Sequence, residues 1–220
     1  MVDPWTFRAY EPVPALMEMA AKVRQALALR AGSASTSATG GTRVVFVERR
    51  HSRVAYDART RLPLAGVLEA MLSRCGVPFE SVCFDEGVSL EMQARCLANA
   101  RIMISVHGAA NTNLFLLPEG ASLFEINFRK HWYCDPVCAR HRSAQIPYAT
   151  RCDGPLTFRP HFHKADYHNL AQVFGVKYRE FEILDAERFL DANPINLERL
   201  YVDAERLASS VVGELGLGRA

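Results

Sequence analysis

Apolar and polar positions along the chain switch repeatedly between two periods. From Pro14 to Arg30 (PALMEMAAKVRQALALR) apolar residues recur three and four apart among abundant Ala and Leu, which predicts a helix. Arg43 to Glu48 (RVVFVE) is a short β-branched and aromatic run, the mark of a buried strand. Helical spacing returns over Leu64 to Cys75, strand-like alternation over Phe79 to Phe84, and helical spacing again over Leu90 to Ala100, with Ser89 as its N-cap. Arg101 to Val106 (RIMISV) and Ala121 to Asn127 (ASLFEIN) read as two further strands. Between them, HGAANTNLFLLPEG reads as a loop, a short helix and a turn at Pro118 to Gly120. HWYCDPVCARHR, which follows, reads as helical in part.

The last third is less regular. Thr157 to Asn169 is aromatic and His-rich without clear periodicity, and Leu170 to Phe181 reads as a turn and a strand. Asn196 to Leu215 reads as one amphipathic helix. Strands alternating with helices call for an α/β fold, a Rossmann-like parallel sheet with helices on both faces. Ligands bind beyond the carboxyl ends of such strands. His107 and Gly108 follow one predicted strand directly, and Glu125 lies near the end of the next. Ala31 to Thr42 (AGSASTSATGGT) has the composition of a linker, so two parts are expected. Residues 1–40 would be a helix and linker, and 41–220 the α/β domain.

Composition narrows the function classes. The 220 residues are 49% hydrophobic with a net charge of +2, an ordinary globular balance that does not point to a nucleic-acid partner. No apolar run approaches the roughly 20 residues that cross a bilayer. Met1 to Tyr10 lacks a basic start followed by an apolar stretch, so no signal peptide is visible. Cys75, Cys83, Cys96, Cys134, Cys138 and Cys152 make an even count, which permits disulfides without demanding them.

Three groups of residues can carry chemistry. His107-Gly108-Ala109-Ala110-Asn111-Thr112-Asn113 places small residues between a strand and a helix start. Backbone amides there can meet phosphate oxygens, although a capped structural turn has the same pattern. Glu125 is a carboxylate inside an apolar strand and needs a partner, either a ligand's vicinal ribose hydroxyls or a protein cation. Arg49-Arg50-His51-Ser52-Arg53, after the first core strand, can clamp a diphosphate or simply form a solvated basic turn. Two metal patterns compete. His131, Cys134, Cys138 and His141 have H-x2-C-x3-C-x2-H spacing, which one zinc could collect only from a partly unwound segment. His161 and His163 could ligate a metal from a strand, or be surface histidines in a loop. There is no G-x-S-x-G elbow, Walker loop or G-x-G-x-x-G.

In order along the chain, these motifs resemble the catalytic domain of glycosyltransferase family 61. VVFVERRHSR supplies a strand with Arg50, Ser52 and Arg53. VCFDEGVSLEMQARCLANARIMISVHGA carries Ser89, Gln93 and His107-Gly108-Ala109, and LPEGASLFEI supplies Pro118, Gly120 and Glu125. The likeness covers Arg43 to Ile126 and continues weakly to Tyr178. The family's HGAGLTN is HGAANTN here. Ala110 puts a methyl group where the family has a glycine, the residue that tolerates positive φ, and Asn111 puts an amide that needs a partner where the family has a leucine.

The resemblance implies the donor-binding, C-terminal half of a GT-B-type inverting glycosyltransferase. Its substrates would be a UDP-linked nucleotide-sugar and a glycan or glycoprotein hydroxyl. No cofactor is implied, and metal independence is expected. It also implies work in the Golgi or endoplasmic reticulum lumen. The implied site is His107 as catalytic residue, with donor contacts from Arg50, Arg53, Ser89, Gln93, Gly108, Ala109, Asn113 and Glu125, the last on the ribose. Two rivals are a non-catalytic module that binds a glycan or partner, and a zinc-binding structural protein.

Overall fold

A computed structural model of the chain describes residues 14–30, 42–50, 54–84, 87–127, 161–183 and 199–217. In chain order the described elements are α1 (Pro14–Arg30), β1 (Val44–Glu48), β2 (Val54–Asp57), α2 (Leu64–Arg74), β3 (Phe79–Cys83), α3 (Leu90–Leu97) and β4 (Ile102–Val106). A 3₁₀ helix (Ala109–Leu116), β5 (Ser122–Asn127), α4 (His161–Val173), β6 (Lys177–Glu182), β7 (Arg199–Val202) and α5 (Ala204–Glu214) complete them. Five strands form one parallel sheet in the order β3-β1-β4-β5-β6. Numbered by appearance within that sheet, the order is 2-1-3-4-5, which reverses direction between β1 and β4. A ligand crevice opens at such a reversal, outside the carboxyl ends of the two strands.

The near-continuous apolar strands follow from burial on both faces. Val44, Phe46, Ile102, Ile104, Val106, Phe124, Ile126 and Phe181 pack toward α2 and α5, where Leu64, Leu68 and Leu72 form a buried stripe at four-residue spacing. Val45, Val47, Met103 and Leu123 face the other way, toward α1, α3, the 3₁₀ helix and α4. Through Leu27 and the half-buried Val23, α1 joins that second layer, and Arg24 Nη1 donates to Phe115 O at 2.8 Å. No described helix is long and apolar enough to cross a membrane.

Most predicted elements stand within a residue or two of their expected bounds, and Ser89 Oγ accepts from Met92 N at 3.3 Å as the expected cap of α3. The short helix after β4 is 3₁₀ throughout, with Asn111 N bonded to Gly108 O (2.9 Å) and Leu117 N to Leu114 O (3.0 Å). Three expectations change. The stretch from His161, read as irregular, is helix α4, so His161 and His163 are not on a strand and the metal reading that required one falls away. Asn196 to Leu215 is not one helix. Arg199–Val202 is β7, and Asp203 Oδ1 accepts from Arg206 N (2.9 Å) to start α5 afresh. β2, unpredicted, pairs in parallel with β7 as a two-stranded sheet, and its Ala55 joins the core on the α2 and α5 side. His131, Cys134, Cys138, His141 and Cys152 lie outside the described residues. Cys75 and Cys96 carry free thiols.

Candidate active site

The second face of the sheet changes character toward the carboxyl ends of its strands. Val45, Met103, Leu123 and Tyr178 lie in register across β1, β4, β5 and β6. The next inward row, about 7 Å along at two residues of rise, is Val47, Ser105, Glu125 and Glu180. On this face polar groups thus enter the core toward the carboxyl ends of the strands. They sit directly below His107, which follows β4, and below the 3₁₀ helix that closes over them.

Glu125 is fully buried, and both of its oxygens are taken up by protein groups. Oε1 lies 2.5 Å from His107 Nδ1 and accepts from Asn111 Nδ2 at 2.9 Å. Oε2 accepts from the Tyr178 hydroxyl at 2.5 Å. Ser105 Oγ donates to Asn111 Oδ1, which fixes the amide with its nitrogen toward Glu125. Ser105, His107 and Asn111 are buried, with His107 3% exposed. Burial, then the negative charge of Glu125, the hydrogen bond to it and the charge of Glu180 push the Tyr178 phenol far above its ordinary range, so it remains a donor. Helix α4 adds a lid of rings. Tyr167 meets His107 edge-on at 5.3 Å between centroids, and His168 lies 5.2 Å from Tyr178.

Asn111 thus has the partners its chemistry requires, and the leucine-to-asparagine departure extends a polar cluster. Ala110 does not take positive φ, so its methyl group meets no backbone penalty. Gly108 does require glycine: φ of 155° with ψ of −175° is closed to other residues. That bend carries the chain from β4 into the 3₁₀ helix over Glu125.

The remaining expected residues are dispersed. Gln93 and Asn113 meet each other, with Asn113 Nδ2 donating to Gln93 Oε1 at 2.7 Å, and Gln93 Nε2 bonds Val88 O at 3.0 Å. Ser89 is exposed and engaged as the α3 cap. Ala109 is exposed at the start of the 3₁₀ helix. Arg50 is exposed beyond β1, close enough to Glu48 to lower the pKa that burial raises there. Arg53 lies outside the described residues. Arg49 was only part of the basic run in the sequence, yet its Nη1 is buried without a hydrogen-bond partner at the β1 end of the reversal. Tyr167 also escaped sequence reading, since nothing local marks it. Tyr178 had only the tail of the family likeness to point to it. Among the described residues, no three His, Cys, Asp or Glu side chains converge on a metal position.

A family profile described as Glycosyltransferase 61 matches residues 4–124, more than half of the chain. No curated protein sequence matches it.

Proposed function

Since the chain belongs to the glycosyltransferase 61 family, we propose that it transfers a sugar from a nucleotide-sugar, UDP-linked, to a hydroxyl of a glycan or protein with inversion at the anomeric carbon. The observation that carries this reading is the buried His107–Glu125 pair at the carboxyl ends of β4 and β5, beside the reversal between β1 and β4. The fold would serve as the donor half of a GT-B arrangement, in the secretory pathway.

The acceptor oxygen attacks the anomeric carbon, the bond from that carbon to the diphosphate breaks, and the acceptor proton leaves to a general base. We assign the base to His107. The departing diphosphate gains negative charge and falls to the reversal between β1 and β4, within reach of Arg49, Arg50 and the first amides of the 3₁₀ helix. Preorganised donors of this kind are the main source of leaving-group stabilisation in such a displacement. Gly108 and Ala109 lead into the 3₁₀ helix on that side, and no metal is needed in this scheme. Because protein donors occupy both oxygens of Glu125, we assign it to His107 and not to the ribose.

Titration calorimetry with UDP and UDP-sugars tests the reading. Binding that is weakened tenfold or more by Arg49→Ala or Arg50→Ala supports it, and no binding to any nucleotide overturns it. One observation favours a second reading, a non-catalytic binding module: His107 is only 3% exposed. That reading expects nucleotide binding without turnover.

A further inference from the structure

We infer that Asn111 and Tyr178 are positioning residues that hold the Glu125 carboxylate so that it fixes His107 as the Nδ1–H tautomer. This rests on the assignment of His107 as general base, and it concerns two groups around Glu125, one of which, Asn111, stands where the family pattern has a leucine.

The order of donors forces the proton's place. Ser105 Oγ donates to Asn111 Oδ1, so the asparagine presents its NH₂ to Glu125 Oε1. The phenol donates to Oε2 and stays protonated, for the reasons of burial and neighbouring charge given above. Both carboxylate oxygens therefore act as acceptors. With the carboxyl ionised, the 2.5 Å contact between Oε1 and His107 Nδ1 places the hydrogen on the ring. In a neutral imidazole with Nδ1 protonated, Nε2 is the basic nitrogen. Proton abstraction by Nε2 creates an imidazolium, and the carboxylate on Nδ1–H stabilises its charge. A leucine at 111 would leave Oε1 with one donor fewer and release the carboxylate to turn away from the ring. Asn111 reaches Glu125 from the helix above, while Tyr178 reaches it along the sheet from β6. The carboxylate is pinned from two directions.

The test reads the ring directly. Nitrogen-15 histidine-labelled protein is compared with Tyr178→Phe and Asn111→Leu, and the His107 signal is assigned by its loss in His107→Gln. The expected wild-type spectrum shows His107 as Nδ1–H, and each variant shows a mixture of tautomers. Tyr178→Phe keeps the ring that packs beside His168, so it guards against failure of Asn111→Leu to fold. With donor and acceptor, each variant should lower kcat by about tenfold, the equivalent of one lost hydrogen bond to a charge, with donor KM unchanged. Neither should lower it further in the His107→Gln background. A wild-type Nε2–H signal overturns the inference, as does Tyr178→Phe that keeps both the wild-type tautomer and the wild-type kcat. The spectrum needs no substrate. The expected tautomer without transfer from any nucleotide-sugar would overturn the transferase reading and leave the tautomer assignment standing.

Discussion

The two faces of the central sheet come from the same strands and are equally buried, yet they are built to different ends. Toward α2 and α5 the strands present mainly Val, Phe and Ile, met by the leucine stripe of α2, with the buried Ser122 donating to Glu214 at the end of α5. Toward the 3₁₀ helix and α4 the same strands begin apolar, then place Ser105, Glu125 and Glu180 in one row under His107 and Asn111. A buried carboxylate and imidazole lose hydration that hydrogen bonds only partly restore. Well-packed hydrophobic residues of similar volume would serve the fold as well or better. On the proposed function, the first face accounts for stability and the second for a chemical task.

The sharpest test of that division is His107→Gln. A glutamine can still donate to Glu125, so stability should change by less than about 2 kcal/mol. The transfer rate should fall roughly 10²- to 10⁴-fold, the worth of a general base. A variant with the wild-type rate would end the division. Next is Glu125→Leu, which strands His107, Asn111 and Tyr178. Urea unfolding should show a loss of about 3–5 kcal/mol. Replacing the cluster together (His107→Phe, Asn111→Leu, Glu125→Leu, Tyr178→Phe) should instead recover that loss while leaving the protein inactive. On the first face, Leu68→Ala should cost about 3 kcal/mol with the activity per folded molecule unchanged.

Smaller effects probe the margins. Asp57 is buried where β2 meets α5. Burial alone would raise its pKa, but hydrogen bonds from the Thr60 side chain and from the amides of Thr60, Ala204 and Arg59 outweigh that and hold it below the ordinary carboxylate value. A depressed folded-state pKa gives stability that is present above the unfolded value and lost as pH falls through the folded one. Asp57→Asn should thus be less stable than wild type near neutral pH. The gap should narrow as pH falls below about 4, where the unfolded carboxyl takes up its proton, and close as pH passes the lower folded value. Denaturant midpoints at pH 7 and pH 3 would show it. Ser89→Ala, which removes only the cap of α3, should cost about 1 kcal/mol.

Local patterning explains which elements the sequence made legible. β1, β4 and β5 are buried on both faces, so their apolar runs are unambiguous, and α2 carries its leucines at helical spacing. β2 and β7 are four residues each and exist through pairing across the chain, which no local window contains. Helix α4 is rich in histidine and aromatic residues and is held by packing on β6 and the 3₁₀ helix. In the site, the need of Glu125 and Asn111 for partners was readable from their chemistry. That they are each other's partners was not, because the parallel register of β4 and β5 brings Ser105 beside Glu125, and the bend at Gly108 lays Asn111 over them. Tyr178 arrives from a strand more than fifty residues on, with only a faint family likeness to flag it.

The β2–β7 pairing also bears on how the molecule assembles in time. Val54 lies opposite Arg199, and Ala204 N bonds Asp57 Oδ1 across 147 residues of chain. Loop-closure entropy for such a span must be overcome before the pairing returns anything, and contacts of this separation slow folding. The stretch that matches the family profile ends inside β5, before β6, β7 and α5. During synthesis α2 emerges with its leucine stripe uncovered, and α5, which lies far later in the chain, closes over it only after the intervening strands are made. The same face that secures the finished protein thus stays exposed during part of synthesis, and the interval in which aggregation competes with folding lasts until α5 arrives.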